Sequence, residues 1–189
     1  MKPMLFSTEM VNAILANKKN QTRRVVKPQI EHDVSGTISK PKYQIGDILW
    51  VRETWGNYGE DNPESNACYY LYRADYPDGA TGYWYEPEHI NWCDFPKWRP
   101  SIFMPRKAAR LFLRVTGVRA EQLQDITEGD AEREGTVARH DTACSGTSAR
   151  IAYAELWDSP NDKRGYGWNI NPYIWVISFE RIDETEGAQ

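Results

Sequence analysis

Residues 111–135, "LFLRVTGVRAEQLQDITEGDAEREG", contain the clearest structural pattern in the chain. At the start, apolar side chains alternate with other residues, as in a strand buried on one face: Leu111, Leu113 and Val115. Further on, Thr127 and Asp130 have the spacing of a helix N-cap and an acidic first turn, and Gly135 is placed to end that helix. The stretch therefore predicts a strand followed by a short helix.

Three further strands are predicted on either side of this stretch. In 44–55, "QIGDILWVRETW", a Gly-Asp turn opens an apolar strand that starts at Ile48 and ends near Thr54. Residues 67–76, "ACYYLYRADY", predict a second strand, and 173–182, "YIWVISFERI", predict the last one. All three segments are rich in aromatic or β-branched residues, which favour strands.

Two more helices are expected. In the first, Ser7 is placed as the N-cap, and Asn17, which tolerates a left-handed backbone, is placed to end the helix. Its apolar residues fall on one helical face: Met10, Val11, Ile14 and Leu15. The second covers 148–159, "SARIAYAELWDS", where Tyr153 and Trp157 are four residues apart and therefore adjacent on a helix.

The predicted order of elements indicates an α+β fold. The helices are short and do not alternate with strands, which excludes repeated βαβ units and favours a small, partly open β-barrel with helices at its ends. A chain of 189 residues is expected to form one domain over 1–189. Long insertions are expected at about 55–100 and 136–148, with a short charged tail at 183–189.

Charge and composition limit the kind of function. The formal net charge of −4 argues against broad electrostatic binding of duplex nucleic acid, so any phosphate contact is expected to be local. No apolar run approaches the length of a membrane span and no signal-peptide pattern is present, so we expect a cytoplasmic protein without membrane contact. The 8 Trp, 11 Tyr and 5 Phe indicate either a stacking surface or long loops packed onto the core.

The cysteine and histidine residues do not indicate a metal site. Cys68, Cys93 and Cys144 are far apart and form no C-x-x-C pair, which argues against a zinc knuckle and against a disulfide framework. His89 lies four residues before Cys93, but no second pair completes a tetrahedral ligand set. We therefore expect neither a metal ion nor a cofactor.

Residues 17–24, "NKKNQTRR", admit two interpretations. In the first, cations such as Lys18 are the solvated end of a helix, where the helix dipole favours positive charge. In the second, a cationic pocket meets the hydroxyl of Thr22. The first interpretation leaves Thr22, Arg23 and Arg24 unexplained as a group, which favours the pocket.

Several motifs in their order along the chain resemble the ASCH domain family, whose fold is a PUA-like β-barrel: "ILANKKNQTRR", "GDILWVRETW", "FLRVTGVRAEQLQDITEGDAEREG" and "WVISFERI". More narrowly, the chain resembles the phage and prophage branch that is often labelled morphogenetic protein. The family pattern after the first helix is glycine, lysine, an acid or threonine, and arginine, and it corresponds to Asn17, Lys19, Thr22 and Arg24. The resemblance covers most of the chain outside 55–100 and 136–148.

The resemblance implies a catalytic set. One type of small bacterial member is an amidohydrolase that removes the acetyl group from N4-acetylcytidine, and its reactive residues correspond to Lys19, Thr22 and Glu134. In that mechanism Thr22 is the nucleophile, Lys19 is the base, and Glu134 orients the lysine or carries a proton to the leaving amine. The neighbouring cations Arg23 and Arg24 would lower the pKa of Lys19, as a base requires.

Five residues are predicted to bind RNA or a modified nucleotide: Arg23, Arg24, Arg52, Trp55 and Arg99. The planar guanidinium group suits phosphate, and an indole ring offers a stacking face. For Arg52 and Trp55 the alternative is a structural ion pair beside a packed indole. For Arg99 the alternative is a loop closed by ring packing.

Three functions remain open at this stage. The first is a hydrolase that acts on a modified nucleoside or on RNA, a ribonuclease included. The second is a non-catalytic module that binds RNA or a modified base, and the third is a phage assembly or host-interaction protein. The acidic net charge favours a small ligand in a pocket, whereas the long insertions favour a larger ligand or partner.

Overall fold

A five-stranded mixed sheet organises the computed structural model, which describes residues 1–27, 40–58, 69–76, 98–137, 139–141 and 146–183. The strands are β1 (Lys2–Leu5), β2 (Gln21–Val25), β3 (Ile48–Arg52), β4 (Trp55–Tyr58), β5 (Tyr69–Tyr72), β6 (Phe112–Gln122), β7 (Arg139–Asp141), β8 (Gly146–Ser148) and β9 (Tyr173–Ile182). The helices are α1 (Thr8–Leu15), α2 (Glu128–Arg133) and α3 (Ala149–Asn161). The main sheet has the order β1-β3-β6-β9-β2, and β4-β5 and β7-β8 form separate two-stranded sheets. The α+β class predicted from the sequence is confirmed.

The long antiparallel pair β6-β9 forms the centre of the main sheet. Its register shifts between Val115 and Gly117, which marks a bulge and increases the local twist. Strand β3 joins β6 antiparallel, and β1 joins β3 in parallel. On the other side, β2 pairs antiparallel with β9 and places Thr22 opposite Ile177. Strands β1 and β2 are therefore the two edges of the sheet.

Each face of the sheet covers its own apolar core. One core contains α1 and the inward residues of the sheet: Met4, Phe6, Val11, Ile14, Tyr43, Leu49, Val51, Leu111, Leu113, Val115, Ile177 and Phe179. The other lies under α2 and α3: Leu123, Ile126, Ala131, Ala149, Tyr153, Trp157, Ile174 and Val176. Side chains alternate across a strand, so neighbouring residues of the edge strand β2 point into different cores.

The two edge strands approach each other across an open side of the sheet. Arg24 Nη2, from β2, donates to the carbonyl oxygen of Leu5 in β1 at 2.9 Å. Tyr43 Oη donates to the carbonyl of Pro3, also in β1, at 2.9 Å. These side chains satisfy edge carbonyls that would otherwise lack a strand partner. Among the strands that the structure describes, no backbone ladder joins β1 to β2, so the sheet is not closed into a barrel.

The predicted helix ends are confirmed. Ser7 Oγ accepts from the backbone N–H of Met10 at 3.4 Å, and Asn17 has a left-handed backbone with φ of 55°. In α2, Thr127 Oγ1 accepts from the backbone N–H of Asp130 at 3.1 Å. Gly135 follows with φ of 86°, as the sequence indicated.

Several strands were not predicted. Residues 17–24 are predicted to form a helix end or a pocket edge, but 21–25 form β2. Strand β4 lies within the predicted insertion at 55–100, and β1 and the β7-β8 pair are also absent from the predicted strands. The sequence of β2 shows no alternation of apolar and polar residues. Its buried side chains are polar and are paired with groups distant in sequence, so no local pattern predicts the strand.

Some sequence predictions fall outside the described residues. These include His89, Cys93 and much of the proposed insertion at 55–100, together with most of the charged tail. Over the described ranges, the longest helix has 13 residues, and none is long and apolar enough to cross a bilayer.

The tight contact at Gly135 generates a stability prediction. A Cβ atom at this position would lie 2.8 Å from the Cβ of Ala13, and the backbone there is left-handed. We expect Gly135→Ala to lower the free energy of unfolding by roughly 1–3 kcal/mol, measured by urea denaturation. The control is Gly129→Ala in α2, where a new Cβ meets nothing within 4 Å. A helical Gly→Ala change stabilises by about 0.5–1 kcal/mol, so equal effects of the two substitutions would show that Gly135 is not sterically constrained.

Candidate functional site

The site forms where the turn after α1 meets the end of α2. Lys19 and Glu134 face each other in an isolated antiparallel bridge, and the N–H of Asn20 donates to the carbonyl of Arg133 at 3.0 Å. The left-handed Asn17 turns the chain out of α1 toward this bridge. Local turn chemistry at both helix ends therefore brings together two residues that are 115 positions apart.

A buried ion pair joins Lys19 to Glu134. Lys19 Nζ donates to Glu134 Oε2 at 2.5 Å and to the backbone carbonyl of Glu134 at 2.9 Å, and each residue is only 2% exposed. The other carboxylate oxygen, Oε1, accepts from Arg23 Nη1 at 3.1 Å. One carboxylate thus receives hydrogen bonds from two buried cations, as buried charges require.

Two more carboxylates complete what we call the buried charge cluster: Lys19, Arg23, Glu121, Asp130 and Glu134. Arg23 Nη2 donates to Glu121 Oε1 at 2.9 Å and lies 3.7 Å from Asp130 Oδ2. The guanidinium carbon of Arg23 also lies 5.7 Å from the ring centroid of Tyr153 in α3. The predicted ligand-binding residue Arg23 is therefore enclosed by protein groups.

Burial and pairing shift the ionisation of these groups. Burial lowers the pKa of Lys19 below its usual value, and the attraction of the Glu134 carboxylate offsets only part of that effect. The nearby guanidinium groups of Arg24 and Arg23 lower the pKa of Lys19 further. Burial alone would also lower the pKa of Arg23, but the Glu134 carboxylate raises it.

Thr22 lies on the opposite face of β2 from Arg23. Its side chain is 1% exposed, and its Oγ1 accepts a hydrogen bond from Arg24 Nη1 at 2.8 Å. Between the described side chains, no hydrogen bond joins Lys19 Nζ to Thr22 Oγ1. The structure thus places Lys19 with Glu134 and places Thr22 with Arg24.

A pocket opens beside Arg24, between the two edges of the sheet. This edge pocket has a volume of about 270 Å³. Its lining residues come from β1, β2, β9 and the segment before β3: Leu5, Arg24, Val25, Pro41, Lys42, Tyr43, Trp175 and Ile177. Two cations and two aromatic rings among apolar neighbours suit a flat ring that carries an electronegative or anionic group. Arg24 is both part of this wall and the partner of the Thr22 hydroxyl.

The other predicted binding residues lie away from the edge pocket. Trp55 and Arg99 exchange backbone hydrogen bonds of 3.2 and 2.7 Å, and the guanidinium of Arg99 lies 5.2 Å from the Trp55 ring centroid. Arg52 lies against Trp50, with 5.3 Å between its guanidinium carbon and the ring centroid. None of these three predicted residues lines the edge pocket.

A second ionic group joins Arg110 to Glu53 and Asp75. Arg110 donates from Nε and Nη2 to the two carboxylate oxygens of Glu53, each at 3.0 Å, and from Nη1 to Asp75. The guanidinium lies 3.9 Å from the ring centroid of Tyr72. Burial raises the pKa of Glu53, despite Arg110, and raises the pKa of Tyr72 to about 12. This group links the residue after β3 to β5 and to the turn that follows β5.

Sequence patterns did not predict the aromatic and charged partners that complete the site. Tyr43 and Trp175 line the edge pocket, and Glu121 belongs to the buried charge cluster. No local pattern marks them, because their roles arise only when β2 is brought against β6, β9 and the segment before β3. Over the described ranges, no group of three or more His, Cys, Asp or Glu side chains is arranged to hold a metal ion.

Comparison with known proteins gives little help with this site. No protein-family model matches the chain, and no curated protein matches it. Among solved structures, the chain is similar to a protein of Enterococcus faecalis V583 with the family description DUF984. The sequence identity is 8%, the match covers 97% of this chain and 82% of the other, and the TM-score is 0.44. A likeness at this level supports no inference about function.

The shared carboxylate generates a prediction about stability. We expect Glu134→Gln to lower the free energy of unfolding by about 3–5 kcal/mol, because it leaves Lys19 and Arg23 buried beside a neutral group. Glu121→Gln is the matched control, since Asp130 remains near Arg23 in that variant. Chemical denaturation of both variants measures the difference, and an equal loss would contradict the central role of Glu134.

The lowered pKa of Lys19 generates a prediction about pH. Between that lowered pKa and the usual value of 10.5, the unfolded chain binds more protons at this residue than the folded chain does. The contribution of Lys19 to stability therefore rises with pH through this window. We expect the free energy of unfolding of the wild type, minus that of Lys19→Met, to increase as the pH rises from that lowered pKa toward 10.5.

Subtracting the free energy of unfolding of Lys19→Met removes the effect of tyrosine ionisation at alkaline pH. Burial raises the pKa of both Tyr72 and Tyr153, so the unfolded chain loses their protons first and stability falls as pH rises through the tyrosine range. That fall is common to the wild type and Lys19→Met. Urea denaturation at a series of pH values gives the difference, and a flat difference would show that the pKa of Lys19 is not lowered.

Proposed function

We propose that this chain is an ASCH-type protein whose edge pocket binds a modified nucleobase and whose Thr22 and Lys19 hydrolyse an acyl group from it. The observation that carries the proposal is the double role of Arg24, which lines the edge pocket and holds the Thr22 hydroxyl. The motif resemblance supplies the reaction class, removal of an acyl group from an N4-acylated cytosine. In this proposal the main sheet is a partly open PUA-like barrel, and the side chain of Arg24 spans its gap between β2 and β1.

The pocket lining supports a nucleobase as the ligand. The rings of Tyr43 and Trp175 offer apolar faces to a flat heterocycle. Arg24 and Lys42 offer charged donors to its carbonyl groups or to an attached phosphate. A volume of about 270 Å³ limits the bound group to a base or a nucleoside, with any longer chain outside.

The proposed reaction begins with a proton transfer inside the buried charge cluster. Lys19 gives one proton to Glu134 Oε2 over their 2.5 Å hydrogen bond and becomes a neutral amine. The lowered pKa of Lys19 favours this step. Lys19 must then turn from Glu134 toward Thr22, because no hydrogen bond joins these two described side chains at rest.

The acyl transfer follows in two steps. Lys19 takes the Thr22 proton as Oγ1 bonds to the acyl carbon, and the bond from that carbon to the base nitrogen then breaks, with the Lys19 proton passing to the leaving amine. Water next hydrolyses the threonine ester and releases the carboxylic acid. Arg24 Nη1 lies 2.8 Å from Oγ1 and is placed to donate to the oxyanion that forms beside it.

A second function has its own support. In the resting arrangement, Lys19 is a hydrogen-bond donor to Glu134, and the Thr22 hydroxyl is engaged by Arg24. A protein that only binds a modified nucleobase needs neither a neutral lysine to accept a proton nor an exposed nucleophile. The same edge pocket would then recognise the ligand without turnover.

Deacetylation of N4-acetylcytidine, free and within single-stranded RNA, tests the enzymatic proposal. We expect acetate release by the wild type, a loss of at least about a thousandfold in Thr22→Val, and partial activity in Thr22→Ser, which keeps the hydroxyl. Circular dichroism and thermal unfolding confirm that each variant is folded. Equal turnover by Thr22→Val and the wild type would eliminate Thr22 as the nucleophile.

Equilibrium binding separates the two functions. If the wild type releases no acetate but binds N4-acetylcytidine, and Arg24→Gln weakens that binding, the non-catalytic function is the correct one. Trp175→Leu should weaken binding in both cases, because it removes a ring from the pocket wall. Lack of both turnover and binding would refute the modified base as the ligand.

A further inference from the structure

An exposed surface next to β3 carries a set of residues that the proposed reaction does not use. We call it the basic-aromatic patch: Arg52, Ile102, Phe103, Arg106 and Lys107. Ile102 is 56% exposed and Phe103 is 66% exposed. Large apolar side chains exposed together, with cations beside them, mark an interaction surface.

The backbone of the basic-aromatic patch is firmly held. Met104 is buried with Trp55 and Ala108 in a small core, and its sulfur accepts from the backbone N–H of Glu53 at 3.2 Å. Single helical turns flank Met104 at Ser101–Phe103 and Arg106–Ala108. The exposed side chains are thus presented by a rigid segment, which reduces the entropy lost on binding.

Three cations of the basic-aromatic patch have no carboxylate partner among the described residues. Over the described part of the chain, no carboxylate lies within 4.0 Å of the charged nitrogens of Arg52, Arg106 or Lys107. Arg52 instead donates to the carbonyl of Ile102, and Arg106 Nη2 lies 3.0 Å from the sulfur of Met1. In a chain of net charge −4, such a local group of cations favours an anionic partner.

The basic-aromatic patch is continuous with the edge pocket. Leu5 lines the edge pocket and is paired with Arg52 in the β1-β3 register. Paired residues of neighbouring strands point to the same face of a sheet, with the strands about 4.8 Å apart. A ligand that leaves the pocket over Leu5 therefore meets Arg52 next, which donates to the carbonyl of Ile102.

We propose that the basic-aromatic patch binds the backbone and bases of a single-stranded nucleic acid, one nucleotide of which occupies the edge pocket. Phe103 stacks on a base, and Arg52, Arg106 and Lys107 contact phosphates. The choice of a nucleic acid over another polyanion rests on the proposed function. The substrate is then a modified base within a strand rather than a free nucleoside.

Binding of a fluorescein-labelled single-stranded RNA of about 12 nucleotides tests the proposal by anisotropy at several salt concentrations. The patch variant is Phe103→Ala/Arg106→Gln. We expect its affinity to fall by about fivefold or more through the lost stacking, and the slope of log K against log salt to decrease by about 0.7 for the lost phosphate contact.

The chain offers a matched control in Ile45→Ala/Arg181→Gln. Ile45 is 70% exposed and Arg181 is exposed, so this variant removes the same kinds of side chain and the same net charge from elsewhere. Equal affinities of the patch variant and this control would overturn the proposal. So would binding that depends on the patch but occurs on vesicles of anionic phospholipid and not on the RNA, since the partner would then be a membrane surface.

The two proposals fail in different ways. If no variant affects deacetylation but the patch variant weakens RNA binding, the proposed function fails and the patch proposal stands. If deacetylation of the free nucleoside depends on Thr22 and the patch variant binds RNA as well as the control does, the patch proposal fails alone.

Discussion

The carboxylate of Glu134 is the constraint on which the candidate site depends. It stands at the end of α2 and receives Lys19 from the turn after α1 and Arg23 from β2. A buried cation without such a partner would be strongly unfavourable, so this one group fixes both the edge strand and the preceding turn against the helical layer. The position of β2 in turn allows Arg24 to reach across to β1.

Successive side chains of β2 point to opposite faces of the sheet, so neighbouring residues of this short stretch have different roles. Arg23 points toward α2 and α3, where carboxylates and the Tyr153 ring enclose it. Thr22 and Arg24 point the other way, where Arg24 lines the edge pocket and donates to the buried Thr22 hydroxyl. The stretch "NKKNQTRR" is therefore neither a frayed helix end nor a uniform cationic surface. It supplies a structural cation, Arg23, on one face, and on the other face a pocket-lining arginine, Arg24, with a buried hydroxyl group behind it.

The open side of the sheet is where the proposed ligand would enter. A closed barrel would satisfy the β1 edge by backbone pairing, whereas here Tyr43 and Arg24 satisfy its carbonyls with side chains. Arg24 and Tyr43 can exchange these hydrogen bonds for bonds to a ligand without breaking the backbone hydrogen bonds between strands. The gap between β1 and β2 is thus the part of the sheet that can bind a ligand at the smallest structural cost.

The sequence by itself determined the elements whose signals are local. The caps Ser7 and Thr127, the left-handed Asn17 and Gly135, and the alternation in β6 follow from backbone and side-chain preferences within a few residues. Only the tertiary structure decided that the polar stretch 21–25 is a strand and that Tyr43 and Trp175 meet at the edge pocket. Both depend on partners distant in sequence, because a buried charge is stable only beside its counter-charge and a pocket exists only between elements already in place.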